Sequence, residues 1–176
     1  MLEQPMIEKL VGMRLQGMVD ALKAPEQDPN VRELSFIERM SLLVDQQWDW
    51  RENQALALRL KSAKLRHNAC IEDIDYRAAR GLEKSVIRGP VKDSQWVKNH
   101  ENIFVLGPTG VGKSFVACAL AQKACRDGYS AFYTRAAALF RDLELARADG
   151  SFRNLLARLS RIDALVINDW AMAHKR

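Results

Sequence analysis

The chain has 176 residues, 48% hydrophobic and 28% charged, with a formal net charge of +5. That is the composition of a soluble globular protein, enough for one domain or for a small domain plus part of another, and it excludes a disordered chain. No apolar run approaches the roughly 20 residues that span a bilayer. The start, Met1-Leu2-Glu3-Gln4-Pro5, has no basic stretch leading into an apolar core, so the expected compartment is the cytoplasm, without membrane contact.

The first hundred residues read as helices. Ile7, Leu10, Val11, Met18, Val19 and Leu22 recur at helical spacing, and Ala24-Pro25-Glu26-Gln27-Asp28-Pro29-Asn30 breaks the pattern. A second helix opens at Ser35-Phe36-Ile37-Glu38, a capping box in which the serine oxygen accepts an early N–H and the glutamate reaches back. Met40, Leu43, Val44 and Trp48 continue its apolar face. A further helical stretch covers about Glu52 to Leu65, with Leu56, Leu60 and Leu65 on one side. Around it stands the densest basic run of the chain: Arg51, Arg59, Lys61, Lys64 and Arg66. That run reads either as a phosphate-contacting face or as a solvated helix exterior. The modest positive charge suits nucleic acid without requiring it.

The pattern changes near residue 101. Asn102-Ile103-Phe104-Val105-Leu106 reads as a short buried strand. A helix follows over Phe115 to Arg126, then a strand over Tyr129 to Thr134 and a helix over Ala137 to Arg147. Ser151 is placed to cap a helix running to about Leu159, and Asp163 to Ile167 is a third buried strand. Alternating strand and helix is the signature of a parallel α/β sheet. The expected organisation is a helical N-terminal module over residues 1–95 and an α/β part over residues 96–176. The three cysteines, Cys70, Cys118 and Cys125, form no C-x-x-C pair, and neither they nor the three scattered histidines have zinc spacing. Cys118 and Cys125 recur on one helix face and read as small buried residues packed on the sheet.

The chemistry concentrates after the first expected strand. Gly107-Pro108-Thr109-Gly110-Val111-Gly112-Lys113-Ser114 fits G-x-x-x-x-G-K-[ST], the P-loop, at every fixed position. A triphosphate can be wrapped only by inward-pointing backbone N–H groups, and glycines permit that approach. The following helix N-terminus adds partial positive charge. Lys113 is expected to reach the β- and γ-phosphates of ATP, and the Ser114 hydroxyl to ligate Mg2+. The partner strand Ala164-Leu165-Val166-Ile167 ends in Asn168-Asp169. Asn168 stands at the metal-ordering position, where an amide oxygen is a neutral and weaker ligand than a carboxylate. Asp169 stands where an acid polarises the attacking water. Asn168 and Asp169 are therefore the expected companions of Ser114 at the metal, and Lys113 and Asp169 the expected catalytic pair.

These motifs, with Leu34-Ser35-Phe36-Ile37-Glu38-Arg39, Ala63-Lys64-Leu65-Arg66, Glu72-Asp73-Ile74-Asp75-Tyr76-Arg77, Arg80-Gly81-Leu82, Ala117-Cys118-Ala119-Leu120 and Leu145-Ala146-Arg147-Ala148-Asp149-Gly150-Ser151, span nearly the whole chain. Together they resemble the IstB family of transposition helper ATPases, relatives of the DnaC helicase loaders within the AAA+ class. The resemblance implies a P-loop NTPase (AAA+) core behind a helical module that contacts a partner or neighbouring subunits. It also implies ATP-dependent assembly on double-stranded DNA, self-association, and an IstA-like transposase as partner. A DnaC-like loader of a replicative helicase, and a non-catalytic remnant acting through its helices alone, remain open. Two departures stand out. The family usually has two acids at Asn168-Asp169 and a glycine near Ala171. The class also continues past the third strand with two more strands, a sensor residue, an arginine finger and a helical lid, so this chain, ending at Arg176, is expected to be C-terminally truncated, its tail Ala171–Arg176 the product of a frameshift or an early stop. In the AAA+ sheet the fourth strand lies between the first and third. Without it the strand over residues 102–106 lacks a central neighbour unless the third strand moves beside it. Weak or absent hydrolysis and marginal stability are the expectations.

Overall fold

The computed structural model describes residues 3–24, 34–77 and 81–170. The predicted breaker beyond Ala24, Arg80 and the tail from Ala171 lie outside them. Helices come first: α1 (Glu3–Gly12), α2 (Gln16–Lys23), α3 (Phe36–Ala63), α4 (Lys84–Val91) and α5 (Gln95–Lys98). The α/β part follows with α6 (Lys113–Arg126), β1 (Ala131–Arg135), α7 (Ala136–Ala148), α8 (Phe152–Leu159) and β2 (Ala164–Asn168). By contact the chain forms two compact units, Met1–Ala57 and Leu58–Arg176. Element type changes after Lys98, whereas compactness divides inside α3.

In the first unit, the single helix expected over residues 7–22 is two. Arg14 adopts φ 59° and the chain turns between α1 and α2. Apolar spacing runs unbroken through this point, so periodicity does not register the turn. The capping box forms as predicted. The Glu38 N–H donates to Ser35 Oγ at 3.3 Å, and the Ser35 N–H donates to Glu38 Oε2 at 2.8 Å. These bonds to Ser35 hold the Glu38 carboxyl below its ordinary value. The helix they start does not stop at Trp48. It continues through most of the further stretch expected over Glu52 to Leu65, as one element of 28 residues.

The core of the second unit gathers Ala69, Ile74, Ile87, Val116, Leu120 and Tyr133. Cys118 and Cys125 are fully buried on α6, as their spacing predicts. Burial pushes the Cys125 thiol up. α6 packs on both strands. β1 and β2 pair in parallel, Ala131 opposite Ala164 through to Arg135 opposite Asn168. A clasp at their start sets that register. The Ser130 N–H and Oγ donate to Asp163 Oδ2 at 2.8 and 2.7 Å, and the Asp163 N–H donates to Ser130 Oγ at 3.0 Å. The α7–α8 crossover follows the expected boundaries closely. The Ser151 side chain makes no cap bond. Instead Asp149 Oδ1 accepts the Ser151 N–H at 2.9 Å.

The expected buried strand at residues 102–106 is not one. It joins no ladder among the described residues, and the sheet has two strands, β1 and β2. Ile103 and Val105 are half-buried, while Phe104 and Leu106 are 83% and 87% exposed. The segment lies on the core by one face with period-two alternation. A strand also needs a hydrogen-bonded neighbour, and β2 pairs with β1 instead of moving beside it. Two large apolar side chains beside unpaired backbone favour association with other chains. Replacing both Phe104 and Leu106 by Ser is expected to raise the soluble fraction and lower light scattering on concentration. A double variant that scatters as strongly as the parent would show that these side chains are covered in solution.

Candidate nucleotide site

The loop before α6 has the backbone that an anion cradle requires. Gly110 and Gly112 take φ 88° and 96°, where a side chain would be strained, and Gly112 caps α6. The Val116 N–H closes the first helical bond on the Gly112 carbonyl at 3.0 Å. The N–H groups ahead of it have no carbonyl partner in the helix, the arrangement that favours an anion. Lys113 Nζ folds back over the loop and donates to the Pro108 carbonyl at 2.6 Å. That bond lies at the surface, where an ammonium can exchange one acceptor oxygen for another.

The register of β1 and β2 brings the second motif to the first. Ser114, in the first turn of α6, donates through Oγ to Asn168 Oδ1 at 2.9 Å. The Asn168 Nδ2 is buried without a hydrogen-bond partner among the described residues. Asp169, one residue on, takes φ 58°, and its carboxylate lies 3.9 Å from Arg135 Nε. Thus Ser114 and Asn168 meet, while Asp169 pairs with the end of β1.

Beside the loop lies a cavity of ≈ 250 Å³. Its walls include Val111, Lys113 and Phe115 from the loop and α6, and Asp73, Ile74 and Leu82 from the segment ahead of α4. No motif in this segment marks it for a site role. The only local signal is that Ile74 and Leu82 are apolar in a charged stretch. A 3-10 turn at Ile71–Asp73 presents the wall, and Arg126 Nη1 donates to Glu72 Oε1 at 2.8 Å, tying that turn to the far end of α6. The Arg126 hydrogen bond holds the Glu72 carboxyl below its ordinary value. The basic run is partly committed to structure: Arg59 Nε donates to the Cys125 carbonyl at 2.9 Å, in the last turn of α6.

The sequence carries an IstB-like ATP binding protein signature over residues 8–174. This chain belongs to that family. It is 41% identical over 172 residues to an insertion-sequence ATP-binding protein of Sinorhizobium fredii, covering 98% of this chain and 70% of the relative. The ATP-binding protein of insertion sequence IS1162 from Pseudomonas fluorescens is 40% identical over 174 residues, covering 98% and 75%. An insertion-sequence ATP-binding protein of Mycobacterium tuberculosis is 29% identical over 160 residues, covering 91% and 63%.

Mg2+ is held through oxygen, usually by one or two carboxylates together with phosphates. The IstB-like chain offers the Ser114 hydroxyl and the Asn168 amide, which are bonded to each other. Among the described residues no cluster of three His, Cys, Asp or Glu side chains stands ready for a metal. This donor set does not fit a tightly held Mg2+. No described helix is long and apolar enough to cross a membrane.

Proposed function

We propose that this protein is an ATP-binding helper of DNA transposition that cradles the triphosphate in Gly107–Ser114. The observation that carries the reading is the left-handed Gly112 cap on α6 with the Lys113 ammonium folded over the same loop. Lys113 serves the β- and γ-phosphates, the backbone N–H groups from Gly107 to Ser114 serve the rest, and the cavity beside Phe115 accommodates the nucleoside. Mg2+ enters only as a companion of the nucleotide, with Ser114 as the hydroxyl offered to it. Turnover is slow or absent in this reading, because Asn168 is neutral and Asp169, the acid for the attacking water, is paired with Arg135.

The wider role follows from the names of the relatives, which favour transposition over helicase loading. An IstA-like transposase is the partner, double-stranded DNA the surface on which copies assemble, and the cytoplasm the compartment. Residues 1–95 form the contact module and residues 96–176 the nucleotide module. A ligand that binds only the folded state stabilises it, by about 2.7 kcal/mol at 100 times Kd. ATP is therefore expected to raise the melting temperature by several degrees in a thermal-shift titration. A melting curve indifferent to millimolar ATP would sink the reading.

A further inference from the structure

When the strand opposite a P-loop ends in a carboxylate, both of its oxygens accept and neither donates. Such a group repels a triphosphate unless a cation lies between them. In this protein β2 ends in Asn168, whose amide has an acceptor oxygen and a two-proton donor. The oxygen is taken by the Ser114 hydroxyl at 2.9 Å. The nitrogen is buried and has no partner among the described residues. Buried N–H groups are nearly always paired, so an unpaired one points to a missing acceptor. Ser114 lies in the first turn of α6, which places the amide at the helix end where the free N–H groups and Lys113 already favour an anion.

We propose that Asn168 makes this a P-loop that holds the nucleotide's phosphates without needing a divalent cation, its Nδ2 donating to a phosphate oxygen alongside the loop N–H groups and Lys113. The inference rests on the nucleotide-binding reading above. It assigns to Asn168 a direct binding contact in place of metal ordering. It also explains how the neutral residue is compatible with a cradle that is otherwise complete.

Calorimetric titration of ATP into the full chain, in Mg2+ and in EDTA, tests it. The parent's two Kd values are expected to agree within about threefold. Asn168→Asp exchanges a donor for a negative charge. It is expected to bind about tenfold or more weakly in EDTA and to recover in Mg2+. Asn168→Leu, which can neither donate nor ligate, is expected to lose about tenfold in both buffers. Should Asn168→Leu not fold, Asn168→Ser, whose side chain is too short to place a donor where Nδ2 lies, reads the same loss. A parent that loses more than about tenfold in EDTA overturns the inference and leaves nucleotide binding intact. An amide-lacking variant as tight as the parent assigns Nδ2 to a water and overturns it as well. No binding in either buffer overturns the nucleotide reading and this inference together.

Discussion

Lys113→Ala is expected to weaken ATP binding by about a hundredfold, the effect of losing charge-assisted bonds to two phosphates at about 1.5–3 kcal/mol each when partly offset by the remaining N–H donors. The fold should not notice. Among the described residues the only bond Nζ makes is to the Pro108 carbonyl at the surface, and surface substitutions of this kind shift stability by about 0.5 kcal/mol or less. Calorimetry and a melting curve on the same sample separate the two outcomes. Lys113→Arg keeps the charge but replaces a compact ammonium by a broad planar group. It is expected to fall between parent and Ala. An Ala variant with parental affinity would move the binding site away from Gly107–Ser114 altogether.

The P-loop was legible because it is local. Eight consecutive residues supply the glycines, the cation and the hydroxyl, and the helix that completes the cradle begins inside the motif. The Ser35–Glu38 box is local in the same sense, and its two bonds are both present. The segment over residues 102–106 shows the opposite case. Its apolar run describes a strand's inward face correctly at Ile103, which does pack on the core. Whether it becomes a strand depends on a neighbour that no window of sequence contains. The turn at Arg14 and the continuity of α3 past Trp48 fail for a related reason. Apolar spacing registers neither the turn that follows Gly12 nor the joining of two helical stretches into one.

The site divides along the same line. Ser114 and Asn168 are 54 residues apart in sequence, and motif logic alone predicts that they meet, which they do. What motif logic does not supply is the state of the amide, with its oxygen engaged and its nitrogen unpaired. Nor does it supply the cavity wall of Asp73, Ile74 and Leu82, beside the turn at Glu72 that Arg126 bonds. Arg59 shows how a charge can mislead: within a run that looks like a nucleic-acid face, its Nε is spent on a helix end.

Gly17→Val is expected to unfold the first unit while sparing the nucleotide site. Gly17 is buried in α2, and a Cβ added there would stand 2.7 Å from Trp50 Cβ, 2.8 Å from the Gln46 carbonyl oxygen and 2.8 Å from Gln47 Cα. Two of these three are backbone atoms of α3, which cannot turn aside as a side chain can. α2 and α3 must therefore separate. Separation breaks the bond from the Met18 N–H to Gln47 Oε1 at 3.2 Å and opens the packing around the fully buried Val19. Overpacking of this kind costs about 1–3 kcal/mol for a single added methyl and more for a branched side chain. A unit of 57 residues has little stability to lose. Gly17→Ala is expected to lower the melting temperature of this unit by several degrees, and Gly17→Val to abolish its transition, read by far-ultraviolet circular dichroism. ATP affinity should stay within about threefold of the parent, because every residue of the cradle lies beyond Leu58. Gly17→Val and Lys113→Ala then form a crossed pair, the one removing helical structure without nucleotide binding and the other the reverse. Loss of ATP binding in Gly17→Val would show that the nucleotide site needs the helices, and the proposed division of labour between the two parts of the chain would fall.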